Sequence, residues 1–481
     1  MPTLTQERDV FSQGKPLWSR AIATPAVEFG PTPLPVLEGQ IPDELRGSLY
    51  RNGAGRLQRD EQRVDHWFDG DGGILAVHFS DAGATGLYRY VQTQGLQAEE
   101  NANQYLYGGY SQMAPGPLWK RWGAKPKNAA NTSVLALPDK LLALWEAGNP
   151  HALDLETLET IGLEDFDTLQ PGQPYSAHPK QDPKTGEIYN FGVVFGRKNY
   201  IQLYRSNASG QIQQQSQISL LRISLVHDFV LAGPYLIFLV PPINLSLLPI
   251  LLGTQGFSDA MRWQPQYGTQ IIIVDRHTLQ EVSRLDTDPW YQWHFGNGYQ
   301  AADGSVIIDY VRYEDFNTNQ WLKEFVTGYP VTPASSQLYR LRLDVAAGKV
   351  LSNQPLFDLD CEFPIVSPQD VGQHHKSLFF CYKSQIINEE FFDSIAYLDP
   401  DSGRSSLMQF TQGQYPIEPI YAPNPHGPGW LLTTVFDGNK DKSTIQILSA
   451  DNLDDGPICI LELPEIIPFG FHGTWQSRDS G

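Results

Sequence analysis

Cysteine is almost absent from this chain of 481 residues. Cys361, Cys381 and Cys459 are far apart, odd in number and form no C-x-x-C. That argues against a disulfide framework and suits a reducing compartment. Positive charge is also scarce, with 34 Lys and Arg against 54 Asp and Glu, a formal net charge of −20. Such a surface repels phosphate backbones and offers no polybasic grip on anionic lipid, so nucleic acid is not expected as a partner. Long apolar runs are lacking too. The longest, Leu236 to Leu252, is interrupted by Pro241, Pro242, Asn244 and Pro249, and it is shorter than the ~20 residues of a spanning helix. It reads either as a buried strand followed by a packed loop or as an exposed patch that dips into one leaflet. The segment Met1 to Val10 is polar and carries Glu7, Arg8 and Asp9. Without an apolar signal core there, the expected location is cytoplasmic. No Ser/Gly spacer, charge block or low-complexity run marks a linker. One domain over residues 1–481 is therefore expected, with residues 1–35 as an extended N-terminal arm.

What the chain has in quantity is short β-rich runs. They include Leu141 to Trp145, Ile188 to Phe195, Ile201 to Arg205, Gln270 to Val274, Val306 to Tyr313, Leu378 to Tyr382, Ile395 to Leu398, Trp430 to Phe436 and Thr444 to Leu448. Asp- and Asn-bearing turn signals separate them, among them Asp182-Pro183-Lys184-Thr185-Gly186, Asn207-Ala208-Ser209-Gly210 and Asp399-Pro400-Asp401-Ser402-Gly403. Helical candidates are few: one turn at Pro42 to Arg46, with Pro42 at its first position, and a short piece at Leu153 to Leu163. Many short strands over such a length imply an all-β sandwich array or a propeller, although no WD or kelch repeat is present.

Four histidines lie among apolar, aromatic or small residues: Ser176-Ala177-His178-Pro179, Val226-His227-Asp228-Phe229, Trp293-His294-Phe295-Gly296-Asn297 and Phe471-His472-Gly473-Thr474-Trp475. Context alone does not single them out, because His78 in Ala76-Val77-His78-Phe79 has an apolar setting as well. If they converge, a closed fold must bring distant segments to one axis, and Asp228 is the sole carboxylate in the four patches. Imidazole suits iron, zinc, copper and nickel, so ligand type does not choose the metal. Four ligands saturate a tetrahedral structural zinc but leave two open positions on an octahedral ion. A ligand imidazole usually donates its second N–H to a carboxylate or carbonyl. Glu146, Glu362 and Glu418 stand in apolar settings where an unpaired charge is costly. The alternative for each is a solvated strand end.

These patches, with Gly47-Ser48-Leu49-Tyr50-Arg51-Asn52-Gly53, Phe68-Asp69-Gly70-Asp71-Gly72, Leu142-Ala143-Leu144-Trp145-Glu146, Cys361-Glu362-Phe363-Pro364 and Glu418-Pro419-Ile420, resemble the carotenoid cleavage oxygenases over nearly the whole chain. That family includes apocarotenoid and carotenoid dioxygenases, stilbene-cleaving dioxygenases and a retinoid isomerase. The resemblance implies an all-β, seven-bladed propeller with a dome of helices and loops over one face. It implies one Fe(II) per chain on His178, His227, His294 and His472, with Glu146, Glu362 and Glu418 as partners of three of them and O₂ as co-substrate. It also implies an apolar tunnel whose mouth touches membrane peripherally through Leu245, Leu247, Leu248, Ile250, Leu251 and Leu252.

The implied activity is oxidative cleavage of a conjugated C=C bond of a carotenoid or apocarotenoid, giving aldehydes such as retinal. Some positions depart from the family pattern: Phe295 where a second histidine is common, Gly298-Tyr299-Gln300 after it, and Ala54 in place of a proline. They put substrate shape in question, not iron binding. A stilbene-type alkene-cleaving dioxygenase and a non-catalytic propeller that binds an apolar ligand are the competing readings. The cleaved bond (15,15′, or 9,10 and 9′,10′) and the oligomeric state stay open. Asp69 to Gly73 fails as a calcium loop, because its fifth position is Gly73, and reads as a tight structural turn.

Overall fold

Each turn signal becomes a side-chain-capped reversal between two strands. Asp182 Oδ1 accepts the Lys184 N–H at 2.8 Å, Asn207 Oδ1 accepts from Ser209 and Gln211, and Asp399 Oδ1 accepts from Asp401 at 3.0 Å. Short polar side chains that bond their own backbone two residues on stop one strand and start the next. The computed structural model describes residues 3–384 and 391–478, and it is mostly β. The nine β-rich runs all become strands, shifted by no more than two residues at either end; examples are Ile188–Val194, Thr269–Asp275 and Trp430–Asp437.

Among the described residues there are six sheets of four or more strands. The eight-stranded sheet is two four-stranded antiparallel groups joined through one parallel pair, Ala232 to Gly298. Chain order thus runs through seven antiparallel groups. The last strand, Gly470–Ser477, pairs with Gly47–Arg56, and the early strand Val36–Gly39 pairs with Pro457–Glu462. Two clasps therefore tie the beginning of the chain to its end.

Aromatic packing fixes the helices and loops of the largest apolar cluster. Trp18 stacks on Phe325 at 4.8 Å between ring centroids, and Trp67 on Phe325 at 4.1 Å. Residues 1–35 are accordingly not an extended arm throughout. Leu4–Ser12 is an α-helix opened by a capping box between Thr3 and Gln6, and Leu17–Ile22 is a 3₁₀ turn that buries Trp18 completely.

Of the two helical candidates, the first forms as the single turn expected of it and the second does not form. Pro42 to Arg46 makes one hydrogen-bonded turn, Leu45 N–H to Pro42 O. Leu153 to Leu163 is a hairpin between His151–Leu153 and Thr160–Leu163. Asp154 Oδ1 there accepts from Glu156 and Thr157, and Leu158 takes a left-handed φ of 57°. The helices that do form include Gln94–Ala102 and Asn317–Phe325. The buried face of the latter mixes Thr318 and Asn319 with Leu322 and Phe325, which hides its apolar period.

Among the described residues no helix is long and apolar enough to cross a membrane. The run from Leu236 divides into a buried strand, Tyr235–Val240, a short strand, Ile243–Leu245, and a five-residue helix, Leu247–Leu251.

Candidate metal centre

The histidines sit where strand groups begin or close. His178 precedes Lys180–Gln181, His227 precedes Val230–Ala232, His294 directly precedes Phe295–Gln300, and His472 lies in Gly470–Ser477. His178 is held by a local turn in which Ser176 Oγ accepts its N–H at 3.2 Å. The backbone of His472 donates to Thr132 O at 3.2 Å. Gly473 must be glycine, because a Cβ there would stand 2.6 Å from Tyr50 O.

These segments bring His178, His227, His294 and His472 together, with one nitrogen from each within 4.8 Å of all the others. Nε2 of His178 and Nε2 of His227 face each other at 3.0 Å. Behind them stand the glutamates. Glu146 Oε1 is 3.1 Å from His227 Nδ1, Glu362 Oε2 is 2.6 Å from His294 Nδ1, and Glu418 Oε1 is 2.8 Å from His472 Nδ1. Glu362 and Glu418 are buried, not solvated strand ends, whereas the Glu146 side chain is 34% exposed.

Burial, then the neighbouring histidines, pushes His178 and His472 well below the usual imidazole range, so both are neutral bases with a lone pair to give. Burial raises the Glu362 carboxyl, but His294, the Phe363 N–H and the Tyr313 hydroxyl outweigh it and hold the group below its usual value. Burial prevails at Glu418, pushing it up to about 7 against Arg51 and the Gly473 N–H.

Four imidazoles with inward nitrogens form a site suited to a single metal ion. The donor set fits such an ion. Nδ1 of His294 and of His472 is taken by a carboxylate, and Nε2 of His294 is buried without a hydrogen-bond partner.

Residues not singled out from the sequence complete the site. Tyr313 OH donates to Glu362 Oε1 at 3.0 Å, and Arg51 Nη1 donates to Glu418 O at 2.6 Å. Phe363 adopts φ 58°, rare for a bulky residue, and packs its ring on His294 at 5.5 Å. Its signal lay in Cys361-Glu362-Phe363-Pro364, read only for the glutamate.

Trp293 and Phe68 stand against His227, and with Phe471, Trp321 and Phe392 they wall a largely apolar cavity of about 870 Å³ (open solvent included) that reaches His227, His294 and His472. Trp293 Nε1 donates to Thr318 Oγ1, which ties this wall to the helix Asn317–Phe325. None of Leu245 to Leu252 lines that cavity. An aromatic row, Phe68, Tyr110 and Phe257, leads from the centre toward them, with centroids 5.3 and 5.7 Å apart.

The six-residue apolar patch is only partly a surface. Leu245 is core, Leu247 and Ile250 pack against it, and Leu248, Leu251 and Leu252 are exposed. The sequence reading missed Trp119 and Trp122, exposed at 76% and 71%. Trp119 lies within a short helix, Leu118–Arg121, and Trp122 caps its end; Arg121 of that helix lies against Gly253.

Asp69 to Gly73 is not one tight turn. Asp69 accepts from Ser111 and Gln112, and Asp71 opens the strand Asp71–Ser80 and pairs with Lys127 at 2.7 Å.

The molecule is thus a mostly β protein with a four-histidine cluster suited to a single metal ion, three of whose rings line an aromatic cavity. Comparison with known proteins gives the family. The profile described as retinal pigment epithelial membrane protein matches residues 23–477. The chain is 32% identical to apocarotenoid-15,15′-oxygenase of Synechocystis sp., over 91% of this chain and 92% of that one. It is 26% identical to resveratrol cleavage oxygenase 1 of Aspergillus fumigatus, over 92% of each. The crystal structure of cobalt-substituted Synechocystis apocarotenoid oxygenase superposes with a TM-score of 0.86 at 29% identity, covering 98% of this chain and 99% of that one. The chain belongs to this family, the carotenoid cleavage oxygenases.

Proposed function

We propose that the chain is a non-haem Fe(II)-dependent dioxygenase that cleaves one conjugated C=C bond of a carotenoid or apocarotenoid to two carbonyl products. The observation that carries this reading is the convergence of four imidazole nitrogens at the end of an aromatic cavity. His178, His227, His294 and His472 would hold one Fe(II), and Glu146, Glu362 and Glu418 would orient three of them. Family membership supports iron, and the cobalt-substituted relative supports a divalent ion in the same kind of site. When bound, the ion supplies activation of O₂. The seven antiparallel groups, with ligands at their entries and two clasps closing the chain, support a seven-bladed propeller.

The protein's own task is positioning. Neutral imidazoles leave a divalent ion its full charge. Glu362 and Glu418 fix the Nδ1–H tautomers of His294 and His472, and Tyr313 pins Glu362. Trp293, Phe68 and Phe471 exclude water and present flat faces to a polyene. Glu362 is committed to His294, Tyr313 and the Phe363 N–H, so no free acid–base pair faces the cavity there, and cleavage of an alkene by O₂ to two aldehydes requires none. The exposed Leu248, Leu251 and Leu252, beside Trp119 and Trp122, support peripheral membrane contact through which an apolar substrate arrives.

The test is aerobic incubation of Fe(II)-loaded protein with β-apo-carotenals, β-carotene, zeaxanthin and resveratrol in detergent, with products read by HPLC and mass. Retinal from an apocarotenal is the expected product, in line with the name of the Synechocystis relative. The dialdehyde of double eccentric cleavage would move the bond to 9,10 and 9′,10′. Products from resveratrol alone would replace the polyene with a stilbene.

A further inference from the structure

We infer that Asp228 is a positioning residue whose single carboxylate fixes three of the four histidine-bearing segments relative to one another; this rests on the proposed metal centre. Asp228 follows His227 in the chain, and its side chain is 1% exposed. Its Oδ1 accepts the Phe229 N–H at 2.7 Å and the Lys180 ammonium at 2.8 Å. Its Oδ2 accepts the Phe295 N–H at 3.1 Å. Lys180 lies two residues after His178, and Phe295 directly after His294. One side chain therefore reaches the segments of His178, His227 and His294, which belong to three successive strand groups.

His178 shows why such a tie matters. The other three histidines each have a glutamate at Nδ1 within 3.1 Å. The nearest acidic oxygen to His178 Nδ1 is Asp228 Oδ1, at 3.9 Å, beyond hydrogen-bond reach. Its ring is placed through its backbone, and that backbone is tied to the other ligands through Lys180 and Asp228.

Charge is needed as well as shape. A buried carboxylate that faces three donors is an acceptor at both oxygens. The isosteric amide presents an N–H₂ to at least one donor, so one of the three segments must move. Outer partners of metal sites contribute to affinity by holding ligands in register.

The test uses the full chain loaded with Co(II), read by its visible d–d absorption and by competition with a chelator. Asp228→Asn is expected to shift the d–d band and to weaken Co(II) retention by about ten- to a hundredfold. Retention within twofold of wild type with an unchanged band, whatever the melting temperature, overturns the proposal. Lys180→Met covers the case in which Asp228→Asn does not fold. It removes one donor and keeps the carboxylate, so about a threefold or larger loss with a band shift is expected, less than the ten- to hundredfold of losing an outer partner outright. An unchanged Lys180→Met variant overturns the link to His178. Wild-type chain that takes up no Co(II) removes the metal reading itself, a result distinct from either.

Discussion

Glu362 Oε2 and His294 Nδ1 stand 2.6 Å apart, and the same carboxylate also accepts from Tyr313 and from the Phe363 N–H. It is an acceptor to three donors. Glu362→Gln can keep an oxygen on His294 and the Phe363 N–H by turning its N–H₂ to the Tyr313 hydroxyl, which can accept. It loses, however, the charge that strengthens its hold on the His294 ring. Metal affinity is expected to fall about ten- to a hundredfold, read by chelator competition. Glu146 makes a longer contact, 3.1 Å, and its buried Oε1 completes no hydrogen bond there. Less is lost with it, so Glu146→Gln should lose clearly less; equal losses would refute this ranking.

Gly72 sits where two backbones touch. A Cβ at this position would fall inside contact distance of the Ala130 carbonyl, and Gly72 itself donates to Ala129 O at 2.8 Å. The obstacle is backbone, which cannot rotate away. Gly72→Ala is expected to destabilise the fold by about 1–3 kcal/mol, the usual range for overpacking, as a lower urea midpoint with an unchanged slope. Wild-type stability would show that residues 129–130 yield.

The sheet framework was legible because its signals are local. Val/Ile/Tyr/Phe runs and Asx turns act over two to eight residues, and Ile188–Val194, Val306–Tyr313 and Trp430–Asp437 follow from them directly. The helix Asn317–Phe325 was not legible, since Asn319 faces inward to bond Tyr110 and Ser258, contacts made 209 and 61 residues away. The glutamates raised a suspicion through their apolar settings, but their pairing with particular histidines is a property of closure. Glu362 meets His294 across 68 residues, and Arg51 meets Glu418 across 367. The apolar run at Leu245 to Leu252 could not be divided into core and surface by composition, because a five-residue helix turns only Leu248 and Leu251 outward, with Leu252 just beyond its end.

That division makes a membrane prediction. Leu248 and Leu251 are 65% and 56% exposed, and the neighbouring Trp119 is more so. Each such side chain transferred from water contributes about 1.5–3 kcal/mol. Leu248→Ser/Leu251→Ser is expected to lower co-flotation with neutral phosphatidylcholine vesicles at least tenfold, and Trp119→Ser to add to it. Cleavage of detergent-solubilised substrate should be unchanged, because neither leucine lines the cavity. Undiminished flotation would place membrane contact elsewhere.

Acid sensitivity follows from His66, which opens the 3₁₀ turn Trp67–Asp69 by accepting the Phe68 N–H at Nδ1 and thereby places Phe68 at the cavity. Burial pushes its pKa down to about 3, weakly opposed by Asn319. In the unfolded chain the group returns to an ordinary value of about 6.5. As pH falls below about 6.5 the unfolded chain takes up a proton that the folded chain refuses. The stability His66 contributes is therefore complete above about pH 6.5 and is lost progressively as pH falls toward 3. The loss is about 1.4 kcal/mol per pH unit within that window, or about 2 kcal/mol by pH 5. His66→Asn keeps an oxygen for the Phe68 N–H and removes the titration. With both proteins metal-loaded, so that the ligand histidines are occupied alike, urea unfolding at pH 7 and pH 5 should show the variant losing about 1–2 kcal/mol less than wild type. Equal losses would mean that the imidazole stays hydrated in solution, and that the Phe68 wall is more open to water than its packing against Tyr110, Trp293 and Phe471 implies.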